Sequence, residues 1–151
     1  MHHRSRGMTL VELILVITIA GILAVVANAS YSRYMLKARN ARAIADLAEV
    51  KLLIDKYRLN NNDALPSTLA AAGAGGRKDP WGRDYVYLKF SALTNLGSVR
   101  KDRNLVPINS EFDLYSKGKD GQSVPPLTAA KSQDDVIIAN NGDYIGLASD
   151  Y

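Results

Sequence analysis

Two groups of residues have the types and spacing for chemistry. Glu12 stands just before the apolar run Leu13 to Ala27. An ionised carboxylate in such a run costs on the order of a few kcal/mol in a membrane unless it has a partner. Asp120, flanked by Gly118 and Gly121, is followed by Asp134 and Asp135. A loop of that kind offers the mixture of carboxylate and carbonyl oxygens that calcium takes. Its spacing is not that of an EF-hand, and Asp-Gly turns also form without metal, so a plain turn and a calcium loop are both open readings. Nucleophilic and zinc chemistry fare worse. Cysteine is absent, and the two histidines, His2 and His3, precede the apolar run. Ser-His and Cys-His pairs and the common zinc sites therefore have no residues to build them, and an enzyme is not expected. The net charge of +4, with no Lys/Arg-rich run, also argues against nucleic acid as a partner.

The element that must position Glu12 is a helix. The run after it has about the length needed to cross a bilayer. Arg4 and Arg6 precede it and would hold that end in the cytoplasm. The helical pattern continues beyond the run: no proline occurs before Pro66, and Gly21 is the only glycine between Met8 and Leu59. A helix over that span is about 75–80 Å long. After Ser30 it becomes amphipathic. Met35, Ala38, Arg42, Ala45 and Glu49 lie near one stripe, and Ile44, Leu47, Leu52, Ile54 and Tyr57 supply apolar faces. Arg42 with Asp46 and Lys51 with Asp55 are spaced for ion pairs along the helix. Asn60-Asn61-Asn62-Asp63 ends it.

Three readings fit the N-terminus. Ala27-Asn28-Ala29 has the small-residue pattern of a signal-peptide cleavage site, and a plain anchor is the second reading. Neither accounts for an acid near the start of the run. The third is a resemblance: Gly7-Met8-Thr9-Leu10-Val11-Glu12, with the basic leader before it and the apolar run after it, resembles the processing motif of type IV pilins and type II secretion pseudopilins. That resemblance implies cleavage by a prepilin peptidase after Gly7, methylation of Met8 as the new N-terminus, and pairing of Glu12 with the terminal amine of a neighbouring subunit. Met8 stands where the family usually has Phe, and Ala29 where it commonly has proline. Asp55 falls at an acidic position implicated in contacts between protomers, while Lys51 reverses the usual sign.

The head should be a small antiparallel sheet. Ser67 is a candidate cap for a short helix to Ala72, Gly73 to Gly76 a flexible linker, and Asp79-Pro80-Trp81-Gly82 a turn into the strand Tyr85 to Leu88, with Trp81 as a core plug. Arg100 to Arg103 reads as a solvated hairpin tip. Glu111 to Ser116 alternates as a half-buried strand does. The Asp-Pro-Trp-Gly turn, the Tyr-x-Tyr strand and Phe112 to Gln122 resemble the head of the major type II pseudopilin. By that resemblance Lys117 would give a carbonyl, and Asp120 with Asp134 or Asp135 carboxylates, to a calcium ion. Residues 137–151 run past the family's usual end as an apolar-aromatic tail.

The expected fold is therefore α+β, a long N-terminal helix packed on a small antiparallel sheet. Its parts would be a leader (1–7), a transmembrane and filament-core helix (8–29), an amphipathic stalk (30–60) and a head (61–151). The resemblance implies a single-pass inner-membrane subunit with its head in the periplasm. Its partners would be membrane lipid, the peptidase, an inner-membrane assembly platform, minor pseudopilins and copies of itself in a helical filament. A type IV pilin for adhesion, motility or DNA uptake is the alternative, although pilins usually close a C-terminal loop with a disulfide. A membrane-anchored enzyme or binding domain is the third class.

Overall fold

The computed structural model describes residues 7–91 and 95–151. The leader residues Arg4 and Arg6, and Leu93 at the start of the long connection, lie outside the described residues. One helix, α1 (Leu10–Asn60), precedes four strands: β1 (Val86–Lys89), β2 (Phe112–Ser116), β3 (Val136–Ala139) and β4 (Tyr144–Leu147). The strands form one antiparallel sheet in the order β1-β2-β3-β4, so each pairs with its sequence neighbour. By packing, the chain divides into two units, Met1–Lys37 and Ala38–Tyr151. The last part of α1 thus belongs with the head.

In the first unit the helix starts with a reciprocal cap. The Glu12 amide donates to Thr9 Oγ1 (3.2 Å), and the Thr9 amide donates to Glu12 Oε2 (2.8 Å). Two amides that no helical carbonyl can reach are satisfied in this way. The apolar side chains that follow, including Ile17, Ile22 and Val25, are exposed. The backbone at Ala29 is helical.

In the second unit Ala43, Leu47, Val50 and Ile54 are wholly buried. Their spacing of four, three and four residues is one helical stripe. They share a core with Phe112 and Leu114 of β2, Val136 and Ile138 of β3, and Tyr85. Leu52, expected to pack, points away and is 67% exposed, while Ala43 and Val50 take its place. Ala43 is the member of the stripe that the sequence pattern hides, because alanine marks no face by itself. The helix ends where Asn62 and Asp63 turn into the left-handed region (φ 52° and 63°). There the Arg58 carbonyl accepts the amides of Asn61 and Asp63.

Four expectations for the head are corrected. Residues 67–73 make successive turns rather than a helix, with Thr68 and not Ser67 accepting an amide, that of Ala71 (3.3 Å). The Gly73–Gly76 segment is fastened, since buried Ala74 donates to the Leu69 carbonyl. β2 is buried on both faces instead of one, for it lies inside the sheet and its far face is covered as well. That cover is a second apolar cluster of Ile108, Leu127, Ile137, Ala139 and Ala148, flanked by Tyr115, Tyr144 and Tyr151. The apparent tail is therefore structural: residues 136–147 are the β3–β4 hairpin, and the rings of Tyr144 and Tyr151 pack at a tilt of 57° with centroids 5.0 Å apart. The fourth correction is Arg100, which is 2% exposed and no hairpin tip.

Candidate functional site

The processing peptide is open. Gly7 and Met8 precede the helix in irregular backbone, and both are exposed. Glu12, four residues on, lies in the first turn of α1, and Thr9 presents both its amide and its hydroxyl to Glu12 Oε2 (2.8 and 2.9 Å). The carboxylate is thus held against the helix start, where the dipole favours it. Gly7, Met8 and Glu12 lie together at one helix end. The described part of this helix from Leu10 is long and apolar enough to cross a membrane.

Asp55 lies in the other unit. Its carboxylate accepts Lys51 Nζ at 2.7 Å and is 41% exposed. The sign reversal at Lys51 thus has a consequence within the subunit: the residue implicated in contacts between protomers already has a partner one turn earlier. Such a half-exposed pair contributes a few tenths of a kcal/mol, about 0.3–0.5. A neighbouring cation can displace it.

The loop from Lys117 to Gly121 is positioned by Asp79, the first residue of the Asp-Pro-Trp-Gly turn. Asp79 is 4% exposed. Its Oδ1 accepts the amides of Trp81 and Arg83 (3.0 and 2.8 Å), and its Oδ2 accepts the Ser116 hydroxyl at the end of β2 (2.6 Å). Gly82 completes the turn with φ of 86°. One buried carboxylate thereby shapes the turn and locks it to the strand that leads into the loop. Trp81 packs on the core as expected.

The residues assigned to calcium separate into two places. Asp120 and Asp134 come together: the Asp120 amide donates to Asp134 Oδ2 (2.8 Å), and Asp120 Oδ1 accepts the Gln122 amide (2.6 Å). The Lys117 carbonyl accepts the Gly121 amide (3.1 Å). The neighbouring carbonyls of Gly118 and Lys119 accept the Arg83 guanidinium (2.6 and 3.1 Å). Asp135 is elsewhere, wholly buried. Its Oδ2 accepts Arg100 Nη2 (2.5 Å) and the Ser123 hydroxyl (2.6 Å). Arg100 also donates to Ser123 Oγ and the Val124 carbonyl, and lies 4.4 Å from the Tyr115 ring centroid. Burial pushes the Asp135 carboxyl up to about 6, against the lowering pull of Ser123 and Arg100. Burial likewise raises Asp113, whose partners are the Arg100 amide and Asn109. Among the described residues no three His, Cys, Asp or Glu side chains converge as a metal site. A calcium ion needs six to eight oxygens. Of the implied set, Asp135 is held by Arg100, whereas Asp120, Asp134 and the Lys117 carbonyl stay at the 117–121 loop, whose Gly118 and Lys119 carbonyls accept Arg83. Arg83 and Arg100 went unassigned in the sequence. Their chemistry is invisible there because their acceptors lie 35 or more residues away for Arg83 and up to 35 for Arg100.

Comparison with known proteins agrees with both ends of the chain. The prokaryotic N-terminal methylation motif matches residues 2–28. The type II secretion system core protein G of Escherichia coli (strain K12) is 30% identical over 79% of this chain and 85% of its own length. A fimbrial protein of Neisseria meningitidis is 31% identical over 96% of this chain and 91% of its own. The type IV major pilin protein PilE of Neisseria gonorrhoeae is 30% identical over 93% and 86%. No solved structure matches the chain at a significant level. With an N-terminal methylation motif, a long helix packed on a four-stranded antiparallel sheet, and similarity over most of the length of both kinds of subunit, the chain belongs to the superfamily of type IV pilins and type II secretion pseudopilins, whose members are structural and not catalytic.

Proposed function

We propose that the chain is the major subunit of a type II secretion pseudopilus. A prepilin peptidase cuts between Gly7 and Met8, and the new terminus is methylated. The helix of residues 8–29 then holds the subunit in the inner membrane with residues 61–151 in the periplasm. At the assembly platform Glu12 pairs with a neighbour's amine, and the exposed apolar side chains of α1 exchange lipid for other helices in a helical filament. Minor pseudopilins would join the same filament. Two charges that are each costly in lipid become one pair, which sets the axial register.

The observation that carries the choice of secretion is the buried Asp79. It makes the Asp-Pro-Trp-Gly turn, the part of the head most like a pseudopilin, a structural hub of this fold. The head also closes its C-terminus with a β-hairpin and has no cysteine for a disulfide. A pilus subunit is the second reading, favoured by the longer match to the fimbrial protein. Deleting the gene separates them. Loss of secreted enzymes from the culture medium, with twitching and DNA uptake intact, supports the pseudopilus. Loss of twitching or DNA uptake with normal secretion overturns it.

A further inference from the structure

We propose that two internal guanidinium groups, those of Arg83 and Arg100, fasten the C-terminal loops of this head in the place of a divalent cation, so that the head is ordered without calcium. A calcium ion brings two positive charges to a cluster of carboxylates and carbonyls. Arg83 and Arg100 bring the same total, one at each of the two places into which the implied ligands have separated.

Arg83 covers the loop itself. Its guanidinium donates to the carbonyls of Gly118 and Lys119. It lies so close over Gly121 that a Cβ there would come within 2.5 Å of Nε. The glycine, with φ of 73°, is what lets the planar group approach the backbone. Arg83 is itself aimed by the Asp79 turn, which accepts its amide. Asp134 reaches the same loop from the far side through the Asp120 amide.

Arg100 holds the second place. It joins three acceptors from the 123–135 segment, Ser123 Oγ, the Val124 carbonyl and Asp135 Oδ2. It arrives there because the chain around it pairs with the same segment: the Lys101 amide donates to the Pro125 carbonyl, and the Leu127 amide to the Lys101 carbonyl. The 95–109 connection and the stretch around Pro125-Pro126 are thus two halves of one device. Arginine suits the task, since its fixed fork satisfies several oxygens at once and stays charged when buried.

The test uses the full chain in detergent micelles. Thermal unfolding is followed by the fluorescence of Trp81, the single tryptophan, in about 1 mM calcium and in excess EGTA, a range that covers extracellular calcium modules. The same midpoint in both is expected; a rise of several degrees with calcium overturns the proposal. Trypsin cleavage at Lys117 and Lys119 should be equally slow in both solutions. Arg83→Gln should lower the midpoint by about 4–8 °C and speed that cleavage, in calcium and in EGTA alike. A variant as stable and as resistant as the parent overturns the role of Arg83. Should Arg83→Gln not fold, Arg83→Lys, which keeps the charge without the fork, should show an intermediate midpoint, and the calcium comparison on the parent chain stands by itself.

Discussion

Removing Arg100 from the Arg100–Asp135 pair should cost the head a large share of what a small domain has to spare, about 5–15 kcal/mol. Arg100 is 2% exposed and Asp135 is fully buried. In Arg100→Met the Asp135 carboxylate keeps only the Ser123 hydroxyl as a side-chain donor. Among the described residues its Oδ1 already has no hydrogen-bond partner. Breaking a buried pair in this way costs about 3–5 kcal/mol. The lost contact with the Tyr115 ring adds about 1 kcal/mol. Asp135→Asn preserves the shape and a carbonyl acceptor for Arg100, and burial already favours the neutral carboxyl there, so it should cost less than Arg100→Met. The double variant strands neither charge. Its loss should fall short of the summed single losses by at least about 1–2 kcal/mol. The assay is urea unfolding of each variant in detergent, read by Trp81 fluorescence so that the head is seen apart from the apolar helix. Strictly additive losses would show that the two groups act independently, and the buried-pair reasoning would fail.

Three other outcomes are expected. The folded-state pKa of Asp135, about 6, lies above the usual 3.8, so its contribution to stability is present below about pH 4 and lost as pH rises through 6. Asp113 has the same sign. The urea midpoint should therefore be higher at pH 5 than at pH 7.5, and Asp135→Asn should flatten that dependence; an unchanged slope in the variant would assign it to another group. Leu47→Ala, at a fully buried site on α1, should cost about 2–5 kcal/mol, whereas Leu52→Ala, two-thirds exposed, should stay within about 0.5 kcal/mol by the same measurement. Glu12→Ala opens the cap at Thr9, about 1 kcal/mol of local helix stability. It should spare cleavage after Gly7, as seen on immunoblots of whole cells, yet abolish filaments, as seen by loss of cross-linked subunit ladders from the same cells.

The N-terminal half was legible in the chain because its determinants are local. Helix, apolar run, cap and ion pairs such as Lys51–Asp55 all join residues three or four apart, and the Gly7-to-Glu12 motif is contiguous. The strands β1 and β2 were legible for the same reason, their alternation and turn residues being written within a few positions. What lay beyond the sequence was long-range. Arg100 sits in a polar, charged stretch that reads as solvated, and only its placement against residues 123–135 makes it a core residue. Asp135 follows Asp134 directly, yet Asp134 lies in the turn before β3 and Asp135 at the entry to that strand, so one carboxylate reaches the 117–121 loop and the other the interior. Alternation along β2 also hid its second face, where Asp113, between Phe112 and Leu114, looked like the solvent side of a strand. Whether a polar side chain meets water or a buried partner is decided by which distant segment covers it, and that is a property of the tertiary fold alone.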